Sequence, residues 1–262
     1  MSRRLRLMVL LGYAGIALAA WAGWIGSREW PHDNLGNASL PPNAIAWLGT
    51  DHLGRDVLSR IIQGSRIALM VGMVAATISV GIGSLFGLLA AWKGGLLDRF
   101  LLAIAATITA IPGILLVLLV GWILGPGIWT TAIAIGVASW VGTFRMVRTE
   151  ALRLHRECFV EAAILEGAQT GRILRHHLLP NLGALCKVQF LLHFVYAIKA
   201  EVILSFLGLG PADTSSWGNI MAHASYDLPN GVWWPLLFTT IALAGLVLAL
   251  QSSTHSPSDT QP

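Results

Sequence analysis

Apolar residues in this chain gather in runs of about twenty, separated by short segments that hold most of its charge. The runs fall at about 7–25, 67–92, 100–124, 128–147, 182–207 and 232–250. Each is long enough to cross a bilayer as a helix, since about 20 helical residues cover the roughly 30 Å hydrocarbon core. The pattern predicts an all-α, polytopic membrane protein with about six transmembrane helices. It divides the chain into an N-terminal transmembrane anchor at 1–26, an extracytoplasmic segment at 27–66, a five-helix core at 67–250 and a polar tail at 251–262. The core carries a long loop at 148–181, and the Ser/Thr-rich tail is expected to be disordered. The first run also resembles a signal peptide, with Ala17-Leu18-Ala19 in the place of a cleavage site. A retained anchor is the expectation here, because Trp21 and Trp24 extend the run as an interface belt would.

Composition strengthens this reading. Charged residues make up 11% of the chain, against about a quarter in soluble domains, which excludes a soluble enzyme. The excess of basic over acidic residues, 17 against 13, follows membrane orientation and not nucleic acid. With the N-terminus inside, the inner segments hold eleven Lys/Arg (Arg3, Arg4, Arg6, Lys93, Arg99, Arg145, Arg148, Arg153, Arg156, Arg172, Arg175) and the outer ones four. The positive-inside rule therefore places the 148–181 loop in the cytoplasm. Cys158 and Cys186 are isolated thiols that form no metal or disulfide motif. In the spans, Gly81, Gly83 and Gly87 suit close helix packing, and Pro112-Gly113 interrupts the third run.

The 148–181 loop is too long and too patterned for a mere connector. A helix is expected over 150–166, ended by Gly167, with a second starting near Thr170 and stopping before Pro180. Small Ala162 and Ala163 near the joint make the pair a knob able to dock in another protein's groove. In the outer segment, Asp51 reads as the N-cap of an amphipathic helix. Leu53, Val57, Leu58, Ile61 and Ile62 lie on one face, with Arg55, Ser59 and Gln63 largely opposite. That helix either lies along the membrane or leads into the second span. In the fifth run, Lys199 is expected to snorkel, while Glu201 stays open between an interfacial pair and a translocation-path residue. His32, His52, His193 and His223 lack ligand spacing, so no metal site is expected. No P-loop, H-E-x-x-H or G-x-S-x-G motif occurs, and no catalytic residue is expected.

Three segments carry a family resemblance. Glu161-Ala162-Ala163, then Gly167, then Leu179-Pro180-Asn181, resembles the EAA loop of ABC importer permeases, whose coupling helix seats in a cleft of the ATPase subunit. Leu48-Gly49-Thr50-Asp51-His52-Leu53-Gly54-Arg55-Asp56 resembles the outer signature of the dipeptide, oligopeptide and nickel permeases. Ser205-Phe206-Leu207-Gly208-Leu209-Gly210, followed by Ser216-Trp217-Gly218, resembles a second signature of that group, in its C-type subunit. The similarity spans about 45 to 250. It departs at Glu166, where the family has an apolar residue, and after Leu250, where a polar tail replaces a basic segment containing Gly-Asp.

The resemblance implies a type I importer permease fold and a bacterial inner-membrane location. It also implies a B-type permease partner, two cytoplasmic ATPases and an extracytoplasmic solute-binding protein. ATP and Mg would then be held by the partner ATPases, with no cofactor in this chain, and the cargo would be peptides or related small solutes, nickel and metal chelates included. The coupling residues would be Glu161, Ala162, Ala163, Gly167, Pro180 and Asn181. The other reading of the spans is an ion-coupled secondary transporter with Glu201 as its proton site.

Overall fold

A computed structural model describes residues 12, 13, 15, 35–210 and 214–254. After a 3-10 turn at Leu35–Asn37, the helices are α1 (Val57–Lys93), α2 (Gly95–Ala110), α3 (Gly113–Leu124), α4 (Ile128–Ser139) and α5 (Val141–Leu154). There follow α6 (Cys158–Leu165), α7 (Thr170–Ile173), a π turn (Leu174–Leu178), α8 (Leu179–Phe206), α9 (Trp217–Asp227), a 3-10 turn (Leu228–Asn230) and α10 (Trp234–Thr254). Among the described residues no strand forms beyond one bridge between Thr50 and Asp56.

Three helices, α1, α8 and α10, are long and apolar enough to cross a membrane unaided. Two bent helix pairs pass the same test only when each pair is taken together, so the described residues hold three spans, or up to five. α2 and α3 meet at 95°, and α4 and α5 at 43°. The first bend follows from Pro112. A residue before proline is driven out of the helical region, and Ile111 is accordingly extended at φ −91° and ψ 132°. The run at 100–124, where Pro112-Gly113 is the expected interruption, is accordingly two helices. At the second bend the Ser139 hydroxyl donates to the Ile135 carbonyl at 2.6 Å, a back-bond that bends helices. The expected anchor at 1–26 lies outside the described residues, apart from helical positions 12, 13 and 15. The expected tail at 251–262 begins inside α10, which runs to Thr254, and the rest lies outside the described residues.

The described residues form two compact units, one drawn from within Met1–Met73, Gly121–Ala132 and Val195–Pro262, the other from Val74–Val120 and Ile133–Phe194. Helix α1 and helix α8 each contribute to both. In the second unit Gly83 on α1 lies against the start of α5. A Cβ there would meet Thr143 Cβ at 2.6 Å and the Trp140 carbonyl at 2.7 Å. A Cβ on Gly81 would meet nothing within 4 Å among the described residues. Trp140, Val141 and Phe144 pack with Ala90, Leu101 and Ala105. Arg148 forks onto Asp98 through two hydrogen bonds of 2.5 and 2.6 Å, joining α5 to α2.

Candidate functional site

The 148–181 segment folds as a short helix mounted on a buried apolar core. That core joins Leu88 of α1, Val147, Ala151 and Leu154 of α5, and Val160 and Ala163 of α6 to Ile173, Leu178 and Leu182. The single helix expected over 150–166 is broken at 155–157. Along a straight helix, positions 154 and 160 would point about 120° apart. The break lets Leu154 and Val160 bury in the same core, and that tertiary gain overrides local propensity.

Gly167 closes α6. Its φ is +78°, the left-handed conformation that glycine adopts without a Cβ penalty. The Ala168 amide then reaches back to the Ala163 carbonyl at 3.0 Å, a Schellman closure that satisfies an end carbonyl. Ala163 faces the core and Ala162 is exposed. Leu165 is 88% exposed, an apolar side chain on a helix otherwise anchored from behind. The side chain of Glu161 lies outside the described ones, so its expected pairing has no structural account. Pro180 and Asn181 are exposed at the start of α8.

The second helix of the loop does not stop before Pro180, as expected. It starts at Thr170, widens into the π turn at 174–178 and continues as α8. Proline lacks an amide hydrogen, and its ring clashes with the carbonyl four residues back. In the wide turn the Leu179 amide bonds to the Leu174 carbonyl, five residues back, and the helix passes the proline without ending.

The 49–56 signature belongs to the other unit, where each position has a structural task. Gly49, at φ +77°, has no room for a side chain, since a Cβ would lie 2.6 Å from the Trp234 ring. The Trp234 indole donates to the Thr50 carbonyl at 2.9 Å. The Thr50 hydroxyl accepts from the Leu40 amide and donates to the Asn37 carbonyl. Asp51 does not cap a helix. Its Oδ1 accepts the amides of Leu53 and Arg55, while Oδ2 accepts Arg55 Nε at 2.9 Å and the Arg60 guanidinium at 2.5 Å. Gly54 turns the chain, and Asp56 is the true cap, with Oδ2 accepting the Ser59 amide at 2.8 Å. The expected amphipathic helix is thus the lead-in to α1, because Arg60 is buried beside Val57 and Ile61.

Burial alone would raise the Asp51 carboxyl. The charges of Arg60 and Arg55 and the Arg55 amide outweigh it and hold the group below the usual carboxylate range. His52 Nδ1 lies 2.9 Å from Asp227 Oδ2 at the end of α9, and its ring meets His223 edge-on at 5.7 Å. Burial, then the charges of Arg60, Arg55 and His52, push His223 below the ordinary histidine value. These two histidines, expected to be scattered, are neighbours. His32 lies outside the described residues, and His193 faces Ser79 in the second unit at 3.2 Å.

The second signature locks α8 to α9. Ser216 caps α9, the Trp217 indole donates to the Ile61 carbonyl at 2.9 Å, and Gly218 lies against Ser205. Glu201 is 0% exposed, with Oε1 accepting the Ser205 hydroxyl at 2.7 Å. Lys199, two residues before it and so on nearly the opposite side of the helix, is exposed. The roles of Arg60, Trp217, Trp234 and Asp227 were not legible in the sequence, because their partners lie between 9 and 184 residues away.

Residues 83–255 match the family described as the inner membrane component of binding-protein-dependent transport systems. The chain belongs to that family. It is 41% identical over 219 residues to the dipeptide transport system permease protein DppC of Bacillus subtilis (strain 168), covering 82% of this chain and 68% of that one. It is 36% identical over 221 residues to the oligopeptide transport system permease protein OppC of the same organism, covering 84% and 72%. A putative peptide transport system permease protein of Brucella suis biovar 1 is 34% identical over 249 residues, covering 95% of this chain and 83% of its own. The chain is therefore a multi-pass inner-membrane ABC importer permease of the C type, a transport component and not an enzyme.

Proposed function

We propose that this permease moves peptides and that it works with a B-type permease, two ATPases and an extracytoplasmic binding protein. The observation that carries the coupling is α6, a two-turn helix anchored by Val160 and Ala163, with Leu165 bare on its surface. A fixed helix with an exposed apolar tip suits a partner's cleft. ATP and Mg belong to the ATPases in this reading. Their closure on ATP draws the two α6 knobs together and biases a bistable arrangement of spans. Peptide cargo is supported by the names of the relatives. Among the described residues no group of three or more His, Cys, Asp and Glu side chains is placed to hold a metal ion, so nickel gains no support here. A proton-driven carrier built on Glu201 gains none from a carboxylate enclosed and bonded to Ser205.

The test is co-purification followed by reconstitution. The isolated chain should not bind ATP, and the ATPases that travel with it should couple hydrolysis to peptide uptake. Stoichiometric nucleotide binding by the isolated chain, or uptake driven by a proton gradient without ATPases, would overturn the proposal.

The proposed orientation places the N-terminus and α6 in the cytoplasm. Cys158 is exposed on α6, and Ile45 is exposed in the segment before α1. In intact cells an impermeant thiol reagent is expected to label Ile45→Cys, made in a cysteine-free background, and to spare native Cys158. Ser216 is unsuitable as an outer reporter because it is buried. The opposite labelling pattern would invert the topology.

A further inference from the structure

Beside the Gly167 joint lies a groove of about 710 Å³ whose lining includes Glu166, Gly167, Gly171, Arg172, Arg175 and His176. Two glycines leave it without side chains to fill it. Its charge comes from two exposed arginines against one acid, Glu166, and neither arginine forms an ion pair among the described residues. The arginines are held by what lies behind them. Ile173, between them in sequence, and Leu178 are buried in the same core as Ala163. The wide π turn at 174–178 carries Arg175 and His176.

We infer that this groove receives a carboxylate-bearing segment of the ATPase partner, with Arg172 and Arg175 as its reading groups. The inference rests on the coupling reading above and adds to it the charge of the partner. Two planar guanidinium groups favour carboxylates, which they hold through paired hydrogen bonds. Leu165, exposed and next in the chain to Glu166 of the lining, offers an apolar contact on the same loop, and a protein interface is commonly an apolar centre with a polar rim. An exposed leucine at the end of α6, on the same loop as the arginines, suits a protein cleft.

The test uses the permease pair in nanodiscs of zwitterionic lipid, titrated with its purified ATPase at about 0.1 M and about 1 M salt, where the Debye length falls from ~10 to ~3 Å. The wild-type affinity should fall with salt. Arg172→Glu combined with Arg175→Glu should weaken binding on the order of tenfold at low salt and flatten the salt dependence, because rim charges act through steering and repulsion. Leu165→Ala should weaken binding similarly at both salt levels. Melting temperatures of all variants check the fold, and these exposed positions should leave it unchanged. Wild-type affinity in the double variant would overturn the inference, as would a defect that appears only in a second set of nanodiscs made with anionic lipid, which would assign the groove to headgroups. If the ATPase does not bind the wild-type pair at all, the coupling reading itself fails.

Discussion

Asp51→Ala is expected to destabilise the protein by about 3–5 kcal/mol, because it removes one partner from a buried ion pair. The side chains of Asp51 and Arg60 are each 3% exposed. Without the carboxylate the Arg60 guanidinium keeps its burial and loses its counter-charge. Two backbone amides, of Leu53 and Arg55, lose their acceptor as well. The loss is large against a typical total of about 5–15 kcal/mol. Thermal unfolding in detergent should show a markedly lower midpoint and a poor yield of folded protein. Asp51→Leu with Arg60→Met should recover part of the loss, since apolar pairs replace buried ion pairs at little cost. If Asp51→Ala melts like the wild type, the 49–56 loop is not the clamp described here.

The same cluster gives the stability a direction with pH. Asp51 has a depressed pKa in the folded protein, so its contribution is fully present above the ordinary aspartate value of about 3.9 and fades as pH falls through the lower folded value. His223 is depressed too, with the opposite consequence for a base. Below the ordinary histidine value of about 6.5 the unfolded chain takes up the proton first, so acidification favours unfolding there. Acid should therefore loosen this cluster in two stages, and His223→Gln should remove only the earlier one.

How much of this was legible beforehand depended on how local each cause is. Span positions follow from runs of apolar residues, and the helix stop at Gly167 follows from one residue's backbone freedom. The bend at Pro112 is equally local, although its angle of 95° is not. Asp56 as the cap and Asp51 as the hub could not be told apart by local rules. Both are aspartates ahead of an apolar run, and the choice was made by Arg60, which α1 places under Asp51. The break at 155–157 and the passage of the helix through Pro180 were likewise set by a shared core, built from α1, α5, α6 and the helix that runs from Thr170 into α8. Glu201 shows the same limit. Its type and depth were visible, but its enclosure with Ser205 depends on how α9 packs.

Gly167→Val is expected to abolish most coupled transport while leaving the spans inserted. Nothing lies within 4 Å of a Cβ built on Gly167, so the Cβ itself meets no neighbour. The effect is expected from φ at +78°, which a β-branched residue adopts at a cost of about 1–3 kcal/mol. The chain can escape the strain only by opening the closure between Ala168 and Ala163, and that releases the end of α6 that carries Leu165. At ~1.4 kcal/mol for each factor of ten, the upper part of that range leaves on the order of one knob in a hundred in its docking geometry. Asparagine tolerates the left-handed region, so Gly167→Asn should stay close to wild type, with Gly167→Ala between the two. The measurement is peptide uptake per ATP hydrolysed in proteoliposomes, with insertion checked by protease protection. The order Gly, Asn, Ala, Val ties the function to one backbone angle, and a Val variant that transports at the wild-type rate would reduce the 148–181 segment to a connector.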